Sequence, residues 1–127
     1  MEKQLIIPKG TDVEKMVFAP AVRVGDLLFL SGTAGYDREQ GRLAGEDIES
    51  QARQALENLG QVLRAAGSSL EQVVKVNCFL VHVERDFAGW NKVFQTFFPA
   101  NPPARTTVGG GIAMQGALIE VDLIATV

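Results

Sequence analysis

Residues 73–81, with the sequence VVKVNCFLV, define the centre of the predicted sheet. It is rich in β-branched and aromatic side chains, which favour a strand over a helix. Its apolar residues fall on both faces of that strand, with one set alternating with the other: Val74, Val76, Cys78 and Leu80 against Val73, Phe79 and Val81. Strands with this pattern are buried on both sides, so the stretch predicts an inner strand of a sheet that is covered on each face.

Two amphipathic helices are predicted, one on either side of this strand in the chain. Between Asp47 and Gly67, apolar residues recur at steps of three and four, which places them on one helical face. Gly67 suits the left-handed residue that ends a helix. Before Pro99, a second helix carries an aromatic stripe, which more often packs in a core than forms a binding platform. The stripe consists of Phe87, Trp90, Phe94 and Phe97 or Phe98.

Short apolar runs outside the helices supply the rest of the sheet. Before the first helix we predict an antiparallel meander of three strands, and after the second helix two closing strands. The sequence thus predicts one α+β domain, residues 1–127, in which a mixed sheet carries both helices on one face. The opposite face would be bare and apolar, which predicts contact with another subunit. The predicted strands are Leu5–Ile7, Met16–Phe18, Leu27–Ser31, Ala104–Val108 and Ala117–Thr126.

Composition argues against several classes of function. The 127 residues carry 12 basic and 15 acidic side chains, and because the basic ones are scattered singly, no cationic stripe favours nucleic acid. The apolar run Leu27–Leu30 is far shorter than the ~20 residues of a membrane helix. No secretory signal is visible at the start, so we expect a cytoplasmic protein. One cysteine, Cys78, and one histidine, His82, leave no internal disulfide and no ordinary Cys/His zinc site.

Arg105 is the first candidate for a binding residue. It follows Asn101–Ala104, a segment stiffened by two prolines, at the opening of a predicted strand. A guanidinium held there can take a carboxylate by two parallel hydrogen bonds. Composition alone favours the alternative of a surface ion pair, because most charged side chains are solvated.

Carboxylates and a serine supply the other candidates. Glu120 and Asp122 lie two residues apart in an apolar strand, so they project from one face. For Glu120, a functional role and a place in a wet subunit interface are equally supported. Ser31 and Gly32 end an apolar run where a hydroxyl and an unhindered amide can face a ligand. Because no histidine lies nearby in sequence, a catalytic triad is not expected, and an ordinary strand-end serine is the alternative.

The stretches PARTTV, residues 103–108, and GALIEVDLIA, residues 116–125, closely resemble the C-terminal signature of the Rid family, also called YjgF/YER057c/UK114. Two earlier stretches resemble the family's early strand and first helix: VGDLLFLSG, residues 24–32, and QARQALEN, residues 51–58. Asn91 with Phe94, Phe97 and Phe98 is similar to its second helix. Because the resemblance spans nearly the whole chain in order, the chain is identified as a member.

Membership implies a chorismate mutase-like α+β fold, assembled as a homotrimer whose three sheets form a central barrel with ligand clefts between subunits. It also implies an enzyme that hydrolyses reactive imino or enamine acids, such as 2-aminoacrylate or 2-iminobutanoate, to 2-keto acids and ammonia without a cofactor or metal. The resemblance makes Arg105 the residue that binds the substrate carboxylate and Glu120 the one that positions or activates water. The other positions around the ligand are Phe18, Ser31, Gly32, Asn91 and Thr107.

Two of these positions depart from the best-known branch of the family. Phe18 stands where that branch has a tyrosine, and Thr107 stands where it has a cysteine. Another imine or enamine acid is therefore an alternative substrate. Two alternatives to deamination also stay open: a module that binds small carboxylic acids without turnover, and the endoribonuclease or translation inhibitor of the family's older names. The acidic charge balance argues against the last.

Overall fold

The sheet is built around the predicted inner strand, and the computed structural model describes all residues from 1 to 127. The helices are α1 (Ile48–Ala65) and α2 (Val83–Phe97). The strands are β1 (Lys3–Ile6), β2 (Ala21–Val24), β3 (Leu27–Ala34), β4 (Tyr36–Asp37), β5 (Arg42–Leu43), β6 (Val73–Leu80), β7 (Ala104–Gly109) and β8 (Ile119–Thr126).

Six strands form one mixed sheet in the order β1-β2-β3-β8-β6-β7, and β4 and β5 form a separate hairpin. Neighbours in the large sheet are antiparallel except β6 and β7, which are parallel because α2 connects them. The last strand of the chain, β8, therefore lies between β3 and β6. None of the helices combines the length and the apolar character that crossing a membrane would need.

Both helices pack on one face of the sheet, as predicted. Strand β8 shows the division most clearly, because Ile119, Val121 and Leu123 are at most 1% exposed beneath the helices. The intervening residues point to the other face. Large apolar side chains on that face remain 42–43% exposed, namely Leu5, Leu27, Phe29 and Val108. The prediction of a bare, apolar sheet face is confirmed.

Two details of the predicted strands are wrong. Met16–Phe18 is not a strand: it follows a short 3-10 turn, and Phe18 is 67% exposed. The second strand is instead Ala21–Val24, which pairs with β3 across the two-residue turn Gly25–Asp26. In β6, an irregularity between Val73 and Lys75 breaks the alternation, so Val74 is exposed rather than buried with Val76.

The predicted bounds of the first helix are confirmed at both ends. Asp47 caps α1 through a hydrogen bond from the backbone N–H of Ser50 to a carboxylate oxygen, 3.0 Å long. Hydrogen bonds from Ser50 lower the pKa of the Asp47 carboxyl, because they favour its charged form. At the other end Gly67 has a φ of 80°, the left-handed conformation that glycine adopts without strain.

Gln51 fastens the start of α1 to the loop that precedes β8. Its amide Nε2 donates to the carbonyls of Gly45 and Gly116, and its Oε1 accepts from the backbone N–H of Leu118 at 2.7 Å. The side chain is only 1% exposed, so these bonds satisfy groups that water does not reach. Gly35 packs so closely on the same turn that a Cβ there would collide with the backbone of Gln51.

We expect Gln51→Leu to lower the free energy of unfolding by about 2–4 kcal/mol, because it removes three hydrogen bonds of a buried amide to the backbone. Chemical denaturation followed by circular dichroism measures the change. Gln61→Leu is the matched control: Gln61 is exposed on the same helix, so its replacement should change the stability by about 0.5 kcal/mol or less. Equal effects of the two substitutions would contradict the role assigned to Gln51.

Candidate active site

Arg105 is the second residue of β7 and lies on the sheet face that the helices cover. Its guanidinium reaches the second helix, where its Nη2 donates to Oδ1 of Asn91 at 2.7 Å. Three aromatic rings surround it, with centroids 5.6 Å (Phe87), 5.7 Å (Trp90) and 4.7 Å (Phe94) from the guanidinium carbon. These cation–π contacts hold the cation in a partly desolvated place without neutralising it.

No carboxylate of the chain pairs with Arg105. The four ion pairs are formed by Lys15, Arg23, Arg85 and Lys92. The surface ion pair that composition favours is therefore wrong for this residue. A half-buried cation that carries free N–H donors and has no anionic partner is suited to bind an anion from outside the chain.

Behind the guanidinium lies a small polar network. Thr107 Oγ1 is 2.8 Å from Cys78 Sγ, and Trp90 Nε1 donates to that sulfur at 3.1 Å. Burial raises the pKa of the Cys78 thiol, because a thiolate would be poorly solvated there. The thiol therefore stays neutral and serves as a packing and hydrogen-bonding group. The hydroxyl of Thr107 is therefore engaged in hydrogen bonds with Cys78 and Trp90 within the chain.

Glu120 occupies the other face of the sheet. It is the second residue of β8, and its neighbours Ile119 and Val121 are fully buried under the helices, so its own side chain points away from them. Gly32 of β3 makes room for it, since a Cβ at Gly32 would lie 3.1–3.3 Å from the Cγ, Cδ and Oε2 atoms of Glu120. Glycine at this position therefore lets the carboxylate lie against the strand.

Ser31 directly precedes Gly32 in β3 and links this strand to the segment that carries Phe18. Ser31 Oγ donates to the carbonyl of Ala19 at 2.6 Å, and its backbone N–H donates to the carbonyl of Pro20. These bonds hold the segment that carries Phe18 against the middle of β3. The phenyl ring itself contacts little of its own chain, since two thirds of Phe18 is exposed.

The predicted residues thus form two separate clusters. The arginine cluster consists of Arg105, Asn91 and Thr107, and the glutamate cluster consists of Glu120, Gly32, Ser31 and Phe18. Strand β6 separates β7 from β8, so the two backbones lie about 10 Å apart. The side chains of Arg105 and Glu120 also point to opposite faces. One chain alone does not bring the two clusters together.

A cleft of about 440 Å³ opens beside the guanidinium. Its size is in the range of small-molecule sites, and its walls are Asn91, Phe94, Gln95, Phe98, Pro99 and Pro102. A larger cleft of about 560 Å³ lies by the β4–β5 hairpin, but its charged residues, Arg42 and Glu46, are exposed to solvent. The cleft at Arg105 is therefore the better candidate for binding.

Sequence reasoning missed the aromatic walls of the site. Phe87, Trp90 and Phe94 were expected to pack in the core; Trp90 and Phe94 do so, yet all three also surround Arg105. The only indication in the sequence was that an arginine opens the strand directly after a helix with an aromatic face. The structure contains no group of three or more His, Cys, Asp or Glu side chains arranged to hold a metal ion.

The sequence of the chain is similar to those of known proteins. The sequence profile of the family described as Endoribonuclease L-PSP matches residues 13–127. The mitochondrial protein mmf2 of Schizosaccharomyces pombe is 44% identical over 83% of each chain. The chloroplastic Reactive Intermediate Deaminase A of Arabidopsis thaliana is 36% identical over 99% of this chain and 67% of its own.

A solved structure agrees with the fold. A protein of unknown function from the conserved Rid family of Yersinia pestis superposes with a TM-score of 0.86, at 29% identity over 99% of this chain and 100% of that chain. Both the mixed sheet with two helices on one face and the order of the elements are therefore those of a known fold. Because the family profile spans residues 13–127 and the relatives match over most of their own length, the chain belongs to the endoribonuclease L-PSP family, the Rid family that its C-terminal signature resembles.

Proposed function

We propose that this protein hydrolyses reactive 2-imino or enamine carboxylic acids to 2-keto acids and ammonia. The observation that carries the proposal is Arg105, a half-buried guanidinium with no anionic partner, held beside a cleft by Asn91 and three aromatic rings. Such a group binds a carboxylate. The Arabidopsis relative, named a Reactive Intermediate Deaminase, supports this class of reaction.

The proposed reaction needs a bound carboxylate and a positioned water. Arg105 holds the substrate carboxylate, which directs the imine carbon towards water held by Glu120. An enamine first takes a proton on carbon and becomes the iminium form. The water oxygen bonds to the iminium carbon as the C=N double bond opens towards nitrogen, and one water proton moves to Glu120. Glu120 returns this proton to the nitrogen of the carbinolamine. The C–N bond then breaks as the hydroxyl proton moves to Glu120 and the C=O bond forms, ammonia leaves, and Glu120 releases the proton to ammonia.

We further propose that the site forms between copies of the chain. Arg105 and Glu120 point to opposite faces of one sheet, so the arginine cluster of one copy needs the glutamate cluster of another. The bare sheet face supports an assembly, because its exposed Leu5, Leu27, Phe29 and Val108 would be covered. A closed ring of three copies, the arrangement that family membership implies, gives three equivalent sites.

RNA cleavage, suggested by the family description, is less well supported. The chain has a net charge of −3, and four of its 12 basic residues are paired with carboxylates. Binding to a phosphate backbone depends on clustered free cations. Arg105 is one isolated guanidinium beside an aromatic cleft, and this arrangement suits a small carboxylate better than a nucleic-acid chain.

Arg105→Lys should weaken binding of a 2-keto acid product by about 1–3 kcal/mol, because lysine keeps the charge but loses the planar pair of donors. Isothermal titration calorimetry with 2-oxobutanoate measures the loss. Arg64→Lys, at an exposed position near the end of α1, is the matched control and should bind like the parent. Unchanged affinity in Arg105→Lys would remove the main support for the proposed function.

Glu120→Gln should slow imine hydrolysis by roughly a hundredfold or more, because the amide cannot take the proton from water. Binding of the keto acid should largely survive, since the carboxylate is held by Arg105. Release of ammonia from an imine generated in situ measures turnover. Asp122→Asn is the matched control on the same strand face, where Asp122 accepts a hydrogen bond from Asn77, and it should turn over normally. Parental turnover in Glu120→Gln would disprove the role of Glu120.

Co-expression of Arg105→Lys and Glu120→Gln chains with different tags tests the site between copies. Every mixed ring of three contains one site with both parental residues, so doubly purified assemblies should recover about one third of the parental rate. Light scattering should give the mass of three chains. A monomeric parent would contradict the assembly, and mixed rings no more active than either variant would contradict the shared site.

A further inference from the structure

We propose that Asn91 is a positioning residue whose lack of charge keeps Arg105 available to a substrate carboxylate. The inference rests on the proposed function, because it concerns the same carboxylate site. Asn91 acts through Arg105: its amide holds the guanidinium in place and does not neutralise the positive charge.

The contact between the two residues is short and enclosed. Arg105 Nη2 lies 2.7 Å from Asn91 Oδ1. Asn91 is half-buried on α2, directly after the fully buried Trp90 and three residues before Phe94, whose ring lies 4.7 Å from the guanidinium carbon. The amide on one side and the ring on another define where the guanidinium lies. Its remaining N–H groups are left for a ligand.

Charge distinguishes this contact from that of Arg85, an arginine on α2 itself. Arg85 donates from Nε and Nη2 to both carboxylate oxygens of Asp86, at 2.9 and 3.0 Å, so its charge is neutralised within the chain. Arg105 donates to a neutral amide instead. An amide oxygen accepts a hydrogen bond without cancelling the positive charge. The guanidinium of Arg85 on α2 is therefore neutralised within the chain, whereas the guanidinium of Arg105 on β7 keeps its charge available.

Within one chain, the cleft contains no charged side chain besides Arg105 that could take over the task of Asn91. Apart from Arg105, its walls consist of amide, aromatic and proline side chains, and none of them is acidic. A carboxylate at position 91 would have almost the same shape as the amide, yet it would form an ion pair with Arg105. An incoming substrate carboxylate would then meet a neutral pair and a competing negative charge.

The experiment compares Asn91→Asp with Asn91→Ala in calorimetric titrations with 2-oxobutanoate. Asn91→Ala removes the anchor but leaves the charge of Arg105 free, so affinity should fall by about three- to tenfold. Asn91→Asp keeps an anchor of the same size but neutralises the guanidinium, so affinity should fall by about a hundredfold. In imine hydrolysis the loss in Asn91→Asp should appear in KM, with kcat kept within severalfold, because the glutamate cluster is untouched.

Thermal unfolding without ligand separates this effect from a folding defect. Asn91→Asp should unfold at or above the melting temperature of the parent, because it gains an ion pair, whereas Asn91→Ala should unfold below it. Gln95→Glu is the matched control: it adds the same charge in the wall of the same cleft but has no hydrogen bond to Arg105. Its affinity should fall by only about threefold, since that charge is more exposed.

Binding in Asn91→Asp that equals or exceeds binding in Asn91→Ala would overturn the inference. The same holds if Gln95→Glu loses as much affinity as Asn91→Asp, since the loss would then reflect charge anywhere in the cleft. A parent that binds no 2-oxobutanoate through Arg105 would overturn both this inference and the proposed function. Binding through Arg105 without imine turnover would contradict the proposed function alone.

Discussion

Successive side chains of a strand point to opposite faces of a sheet, and in this molecule that alternation separates stability from chemistry. In β8 it sends Ile119, Val121 and Leu123 under the helices and leaves Glu120 on the bare face. In β7 it sends Arg105 the other way, into the aromatic residues of α2. The separation of the two clusters follows from this two-residue period, and it is the reason for proposing that a second copy of the chain completes the site.

The environment of Arg105 shows how a cation is kept partly out of water without an ion pair. Aromatic faces and one amide oxygen replace some of its lost hydration, while its charge remains uncompensated. Under the proposed function, the guanidinium does not have to reorganise when a carboxylate binds, which lowers the free-energy cost of binding. The neutral thiol of Cys78 and the hydroxyl of Thr107 complete the wall behind it without adding a competing charge.

Much of the fold follows from local patterns, and the site follows from them only in part. The period of the apolar residues and Gly67 predict α1 almost to the residue, because both signals act within the helix itself. The error at Met16–Phe18 arose because three apolar residues do not reveal whether a partner strand exists; the Gly25–Asp26 turn, a common hairpin signal, marks the true strand. The opposite orientations of Arg105 and Glu120 depend on strand order and register, which involve residues far apart in sequence.

The central place of β8 has a consequence for how the chain is made. Its neighbours in the sheet, β3 and β6, are synthesised long before it, yet they do not pair with each other. The Gln51 bonds to Gly116 and Leu118 likewise join residues 65 and 67 positions apart. A nascent chain that has emerged only as far as β7 therefore contains β1–β3 and β6–β7 but lacks the strand that joins these two parts of the sheet. Closure of the sheet must wait until β8 leaves the ribosome, so loss of residues 119–126 would remove the middle of the sheet rather than its edge.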